Sequence, residues 1–201
     1  SFATVSQVTS VPYGAVAPSG FRAYTLRELI DMAKAKPGAL SYASTGTGVG
    51  PHLAAEYFRS LAGINVVHVP FKGAGPAMVA LLGEQVDYGF MDASVLPNIQ
   101  AGRLRALAVT SRHRWSKLPN VPTIAESGFA GFDAVSEGMI LAPAGTPKDV
   151  IATINAALRS VMAAPDVRQL FSNQGVDPVV SSPEELEARL ASEVVNYGRA
   201  I

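Results

Sequence analysis

The sequence predicts an α/β fold, and three observations carry that reading. Apolar runs alternate with amphipathic helical patterns along most of the 201 residues. A unit of short strand, glycine-rich loop, proline and helix occurs twice, in "LSYASTGTGVGPHLAAEYF" (40–58) and "INVVHVPFKGAGPAMVALLGEQ" (64–85). "LRALAVTS" (104–111) is almost continuously apolar, as expected of a strand buried on both faces.

In chain order, Val8 to Ala17 reads as an extended, β-rich stretch. Thr25 and Glu28 form a capping box that opens a helix through Leu26, Leu29, Ile30 and Ala33, and Lys36-Pro37-Gly38 stops it. A strand over Leu40 to Ala43 leads into the first glycine loop. Pro51 suits the first turn of the next helix, where its missing N–H costs nothing; that helix puts Leu53, Ala54, Tyr57, Phe58 and Leu61 on one side. The strand over 64–71 enters a second loop, where Pro76 leads a helix bearing Met78, Leu81 and Leu82. Val86 to Phe90 is a third short strand, followed by "MDAS" and a helix over Val95 to Gln100 closed by Gly102.

The segment "RHRWSKLPNVPTIAESG" is a proline-punctuated surface stretch with a second capping box, Thr123 to Glu126. Phe132 to Leu141 is again extended. From Pro147 the pattern is helical, with Val150, Ile151, Ile154, Leu158, Val161 and Met162 on one face; a shorter helix covers Asp166 to Asn173, and a third capping box, Ser182 to Glu185, opens the last. These final helices have no strand of comparable strength to pack on, an oddity for a complete α/β domain because each apolar stripe must be buried on something.

Composition narrows the function classes. The chain is 48% hydrophobic and 16% charged, as in an ordinary folded protein, and its sixteen basic and sixteen acidic residues cancel. That balance lacks the electrostatic footprint of a nucleic-acid binder. No apolar run is long enough to span a bilayer and no leader pattern starts at Ser1, so the expectation is a soluble chain carrying no address of its own. The absence of cysteine removes disulfides, thiolate metal sites and cysteine nucleophiles, and is compatible with an oxidising compartment.

Most chemical motifs fail. A dinucleotide fingerprint would need glycine at 51, which is Pro51, and neither glycine loop contains the phosphate-loop pattern. There is no G-x-S-x-G elbow and no H-E-x-x-H, and His52, His68 and His113 are not spaced as a metal cluster. What remains is geometric: loops after parallel strands gather at the carboxyl edge of an open sheet. Ser44, Thr45, Gly46, Thr47 and Gly48 form the first loop, Lys72, Gly73 and Gly75 the second, and Asp92 and Ser94 follow the third strand. Two helix N-termini facing one cleft favour a carboxylate or a phosphate. The alternative is that the glycines only let the chain turn and that His52 is structural.

Four segments, "LSYASTGTGVGPHLAAEYF", "VPFKGAGPAMVALLGEQVD", "AGRLRALAVTSRHRWSKLPNVPTIAESG" and "LAPAGTPKDVIATINAAL", in this order closely resemble the Bug family of extracytoplasmic solute-binding proteins, the receptors of tripartite tricarboxylate transporters. The resemblance covers the whole chain. It implies a type II periplasmic-binding-protein fold: a crossover strand region at 1–17, the second α/β lobe at 18–131, and the return crossover with the C-terminal helices of an incomplete first lobe at 132–201. It also implies that a strand-rich N-terminal part of the family lies outside this chain, which accounts for the helices without a sheet.

By that resemblance the chain captures a small carboxylated solute, such as a di- or tricarboxylate, an aromatic acid or an amino acid, for membrane subunits of a transporter, in the periplasm. It implies no cofactor, no metal and no catalysis. The site loops it implies are Ser44, Thr45, Gly46, Thr47 and Gly48, and Lys72, Gly73 and Gly75; to these the residues' own placement adds His52, in the first turn of a helix, and Asp92, after the third strand and a candidate companion of Glu137. Glu137 stands where relatives commonly have an aromatic residue; it is expected either to meet a cationic part of the ligand or to be solvated on the hinge. Self-association of the chain through unburied helix faces is a further expectation. The alternative function is a ligand-sensing effector domain of a regulatory protein with the same architecture. An enzyme is the third reading, with Asp92 and His52 as its loose candidates.

Overall fold

A strand made of small and β-branched apolar residues can be covered on both faces, and Gly14–Pro18 (β2) is such a strand: all five residues are buried. In the computed structural model, which describes residues 2–198, β2 lies inside a five-stranded sheet. Residue 1 and residues 199–201, included in the first and last predicted segments, lie outside the described residues. By its internal contacts the chain forms a larger unit, residues 12–135, and a smaller one, residues 2–11 with 136–198. The changes of unit fall at 11/12 and 135/136, where the sequence reading places 17/18 and 131/132.

In the larger unit, α1 (Leu26–Ala35) is opened by the Thr25–Glu28 capping box and buries Leu26, Leu29, Ile30 and Ala33. There follow β3 (Ser41–Ser44), α2 (Gly50–Ala62), β4 (Val67–Pro70), α3 (Ala74–Leu82), β5 (Tyr88–Met91), a 3-10 turn at Ala93–Val95, α4 (Leu96–Gln100) and β6 (Leu104–Val109). The strand order is β4-β3-β5-β2-β6. Strand β3 runs parallel to β4 and β5, whereas β2 pairs antiparallel with both β5 and β6. All strands but β2 therefore point the same way and end at one edge.

Alternation along the strands sends Tyr42, Tyr88 and Phe90 to the face covered by α2, where Phe58 meets Phe90 at a ring separation of 5.9 Å. The opposite face carries Ala43 and Met91 in a core with Ala77, Ala80 and Leu81 of α3. Gly89 lets α3 come close: a Cβ there would lie 3.2 Å from both the Ala43 carbonyl oxygen and Leu81 Cδ1.

Several details differ from the sequence pattern. Helix α2 buries Pro51, Ala54, Ala55, Phe58 and Ala62, while Leu61 is 48% exposed. The small alanines, not the leucines, face the sheet and permit its close approach. Strand β4 begins three residues later than Ile64, because Val67 is the first to enter the ladder. The Thr123–Glu126 box forms, with Thr123 N–H donating to Glu126 Oε2 at 2.8 Å and Glu126 N–H to Thr123 Oγ1 at 3.0 Å, but it closes a turn and no helix follows.

The smaller unit contains β1 (Phe2–Pro12), β7 (Val135–Pro143), α5 (Lys148–Ala163), α6 (Pro165–Asn173), β8 (Asp177–Pro178) and α7 (Pro183–Gly198). The C-terminal helices do have a sheet, ordered β7-β1-β8. It is narrow, and α5 places Asn155 and Met162 in the buried positions while Val150, Ile154 and Val161 are exposed. Asn155 holds this unit together: its Nδ2 donates to the carbonyls of Val5 and Ser181, each at 2.8 Å, and its Oδ1 accepts from Arg159 Nε at 3.0 Å. Ser181 returns a side-chain bond, its Oγ accepting from Gln7 N–H at 2.9 Å. Replacing Asn155 by Ala removes both of these donors, leaving the Ser181 carbonyl with its bond from Ser6 Oγ at 3.0 Å, and we expect a loss of roughly 1–3 kcal/mol by urea denaturation. A loss within a few tenths would show that the clamp is unimportant.

Candidate functional site

Residues that follow β3, β4 and β5 meet at the carboxyl edge of the larger sheet. The link between the first two loops is backbone. Phe71 N–H donates to the carbonyl of Ser44, the last residue of β3, at 3.0 Å, and Gly73 N–H to the Thr45 carbonyl at 3.1 Å, one residue out of the ladder register. Strand β5 adjoins β3 in register, Ala43 opposite Gly89, and Asp92 follows its last residue, Met91.

Each loop then enters a helix. Val49 caps α2, which has a proline in its first two positions; Gly73 caps α3. Neither helix has an acidic residue in its first turn, so the partial positive charge of each N-terminus is uncompensated by a side chain. Gly48 (φ +79°) and Gly73 (φ +104°) adopt left-handed backbone that a side chain would oppose.

The predicted residues play different parts within this arrangement. Ser44 is fully buried; its Oγ accepts from Gly46 N–H at 3.3 Å and lies 2.7 Å from His68 Nε2. Asp92 is also engaged locally, accepting from Ser94 N–H at 3.0 Å to cap the 3-10 turn. Thr47, Gly48 and Lys72 are exposed, and Thr45, Gly46, Gly73 and His52 are half-buried. Gly75 is exposed in the first turn of α3. Glu137 is elsewhere in the fold: it belongs to the smaller unit, its side chain is 3% exposed, and it is ion-paired with Arg189 of α7 and accepts from Gln7 Nε2 at 3.2 Å. It is therefore not solvated: Oε1 takes both of these contacts, while Oε2 is buried with no hydrogen-bond partner among the described residues.

The structure adds residues that local patterns do not reveal. Because β2 is antiparallel, its start lies at the same edge as the strand ends, and this brings Tyr13 to the loops. A Cβ on Gly50 would overlap the Tyr13 hydroxyl. Tyr13 is itself held by Thr110, whose Oγ1 accepts from Tyr13 N–H at 2.8 Å. Beneath the loops, Tyr42, His68 and His52 form a stack, with ring separations of 4.8 Å and 4.2 Å. Tyr42 donates to Glu56 Oε1 at 2.5 Å, and Glu56 pairs with Arg59 at 2.6 Å.

These contacts set the local charge. Burial favours the neutral form of His68 and holds its pKa below the usual histidine value, His52 acting in the same sense and Glu56 opposing. Burial tends to raise the Glu56 carboxyl, but the hydrogen bonds from Arg59 and Tyr42 outweigh it and leave the carboxyl below its ordinary range. The Tyr42 phenol is pushed up by burial first and by Glu56 second. Tyr42 and His68 are thus favoured in their neutral forms. Among the described residues, no group of three or more histidine, aspartate or glutamate side chains is placed to hold a metal ion.

An open sheet with anion-competent loops at its carboxyl edge is the architecture of periplasmic binding proteins, and solved structures agree. The structure of the periplasmic binding protein BugD superposes with a TM-score of 0.77 at 31% identity, over 98% of this chain and 67% of that one. Rpa4515 of R. palustris, solved with adipate, gives 0.82 at 26% identity, covering 99% and 67%. MatC from Rhodopseudomonas palustris, with bound malate, gives 0.78 at 27%, covering 99% and 69%.

The model of the tripartite tricarboxylate transporter family receptor, TctC, matches residues 1–201, and the chain belongs to that family. Among curated relatives, the UPF0065 protein of the tcbD-tcbE intergenic region of Pseudomonas sp. (strain P51) is 36% identical over 203 residues, 100% of this chain and 60% of that protein. BugT of Bordetella pertussis is 35% identical over 199 residues, 98% of this chain and 61% of that protein. The chain thus spans about 60% of the length of these relatives.

The close contact of Gly50 with Tyr13 makes a specific prediction. Gly50→Ala should force the ring or the start of α2 to move, lowering stability by about 1–3 kcal/mol. Gly50→Ala combined with Tyr13→Phe, which removes the overlapping hydroxyl, should recover part of that loss in denaturant titrations. Equal stability of Gly50→Ala and the parent protein would contradict the packing.

Proposed function

We propose that this chain forms the solute-holding part of an extracytoplasmic receptor that binds a small carboxylated solute and delivers it to the membrane subunits of a tripartite tricarboxylate transporter, without chemical turnover. The observation that carries the reading is the pair of loops tied by the Gly73-to-Thr45 backbone bond, each leading into a helix N-terminus with no acidic residue in its first turn. Backbone N–H groups there, the hydroxyls of Thr45 and Thr47, and Lys72 are the donors for a carboxylate. Ser44 and Asp92 act by shaping the loops.

Family membership supports the transport role, and the adipate and malate bound to two structural neighbours support dicarboxylates as the first class to try. A receptor reading also suits the loop chemistry, which supplies hydrogen-bond donors but no activated nucleophile paired with a base.

The test is a thermal-shift panel of mono-, di- and tricarboxylates and amino acids on the full-length native protein. A true ligand at about a hundred times its dissociation constant adds roughly 2.7 kcal/mol, or on the order of 5–10 °C for a protein of this size. A selective shift by one carboxylate class is expected. A folded protein that responds to none of them would refute the reading, and turnover of any carboxylate would return the enzymatic one.

A further inference from the structure

Both imidazoles of the stack end on the loop between β3 and α2. His68 reaches its first residue, Ser44, whereas His52, in the first turn of α2, reaches back to Gly48. The second contact has a defined direction: Gly48 N–H is the donor and His52 Nδ1 the acceptor, at 3.1 Å. A nitrogen that accepts from a backbone amide carries a lone pair, so the neutral ring bears its proton on Nε2. Gly48 is in left-handed backbone, without a side chain to anchor it; this bond ties that turn to the helix, beside the backbone bond from Leu53 N–H to the Val49 carbonyl at 3.0 Å.

We propose that His52 is a positioning residue: its neutral Nδ1 holds Gly48 in the turn that aims the loop's N–H groups, and solute affinity depends on that acceptor. The proposal rests on the loop being the carboxylate site. Protonation would convert Nδ1 into a donor facing a donor and release the turn. The charged and titratable groups facing His52 from the packed elements are His68 on β4, Tyr42 on β3 and, on α2 itself, Glu56 with its partner Arg59. Glu56 is engaged by Arg59 and Tyr42. His68 is stacked 4.2 Å away.

The variants separate an acceptor from a space-filler. In His52→Asn the amide oxygen can take the place of Nδ1 without titrating, whereas His52→Phe keeps a stacking ring and loses the acceptor. Two readouts are made on the full-length native protein. In the first, nuclear magnetic resonance follows the Gly48 amide and the His52 ring from pH 8 to pH 5 without ligand. The Gly48 signal should move with the His52 midpoint in the parent protein and stay still in His52→Asn. In the second, dissociation constants for adipate and malate are measured at pH 8. Asn should bind within about threefold of the parent and Phe about tenfold more weakly, a difference of about 1.4 kcal/mol.

A Gly48 amide indifferent to His52, or unchanged binding by a folded His52→Phe, overturns the proposal. If neither acid binds the parent protein while Gly48 follows His52, the brace stands and the carboxylate reading is what fails.

Discussion

Two backbone hydrogen bonds beyond the ends of β3 and β4 organise the edge on which everything else depends. Parallel strands normally diverge into their loops, and each loop is then free to choose its own course. Here Phe71 and Gly73 donate to Ser44 and Thr45, so the two loops are tied to each other as they leave the sheet. Helices α2 and α3 go to opposite faces of the sheet, yet they start side by side. The main-chain tie thereby fixes the two loops, and with them the starts of α2 and α3, relative to each other.

Support for that edge comes from beneath and beside it. The stack of Tyr42, His68 and His52 fills the space under the first loop with rings that each make one polar contact: Tyr42 with Glu56, His68 Nε2 with Ser44 and His52 Nδ1 with Gly48. The reversed strand β2 brings Tyr13 against Gly50, so the first residue of α2 is set by contact with a neighbouring strand and not only by its own cap. Such pre-organisation suits a site that must hold an anion by backbone donors, because the cost of ordering the loop is met by folding and not by binding.

Much of this was legible in the sequence because it is local. The strand, loop, proline and helix unit is a short-range pattern, as are the capping boxes at Thr25 and Ser182, both of which form. The two-lobed receptor family could be named from long matching segments. What escaped depends on distant pairs. Nothing near Gly14 states that β2 runs against β5 and β6, and so Tyr13 was not a candidate. His52 and His68 are sixteen positions apart and meet only because α2 folds back over β4; Glu137 and Arg189, fifty-two apart, meet through the smaller unit. The face of α2 was misjudged for a different reason: hydropathy favours leucine, whereas close approach to a sheet favours alanine.

The central claim is that one carboxylate is held jointly by the two tied loops. The most direct measurement is a crystal structure of the full-length native protein with adipate or whichever acid the panel selects. The account predicts a carboxylate within about 2.7–3.2 Å of N–H donors from both the loop at 45–50 and the first turn of α3 at 74–75. A carboxylate bound away from either loop, with these donors left to solvent, would contradict it.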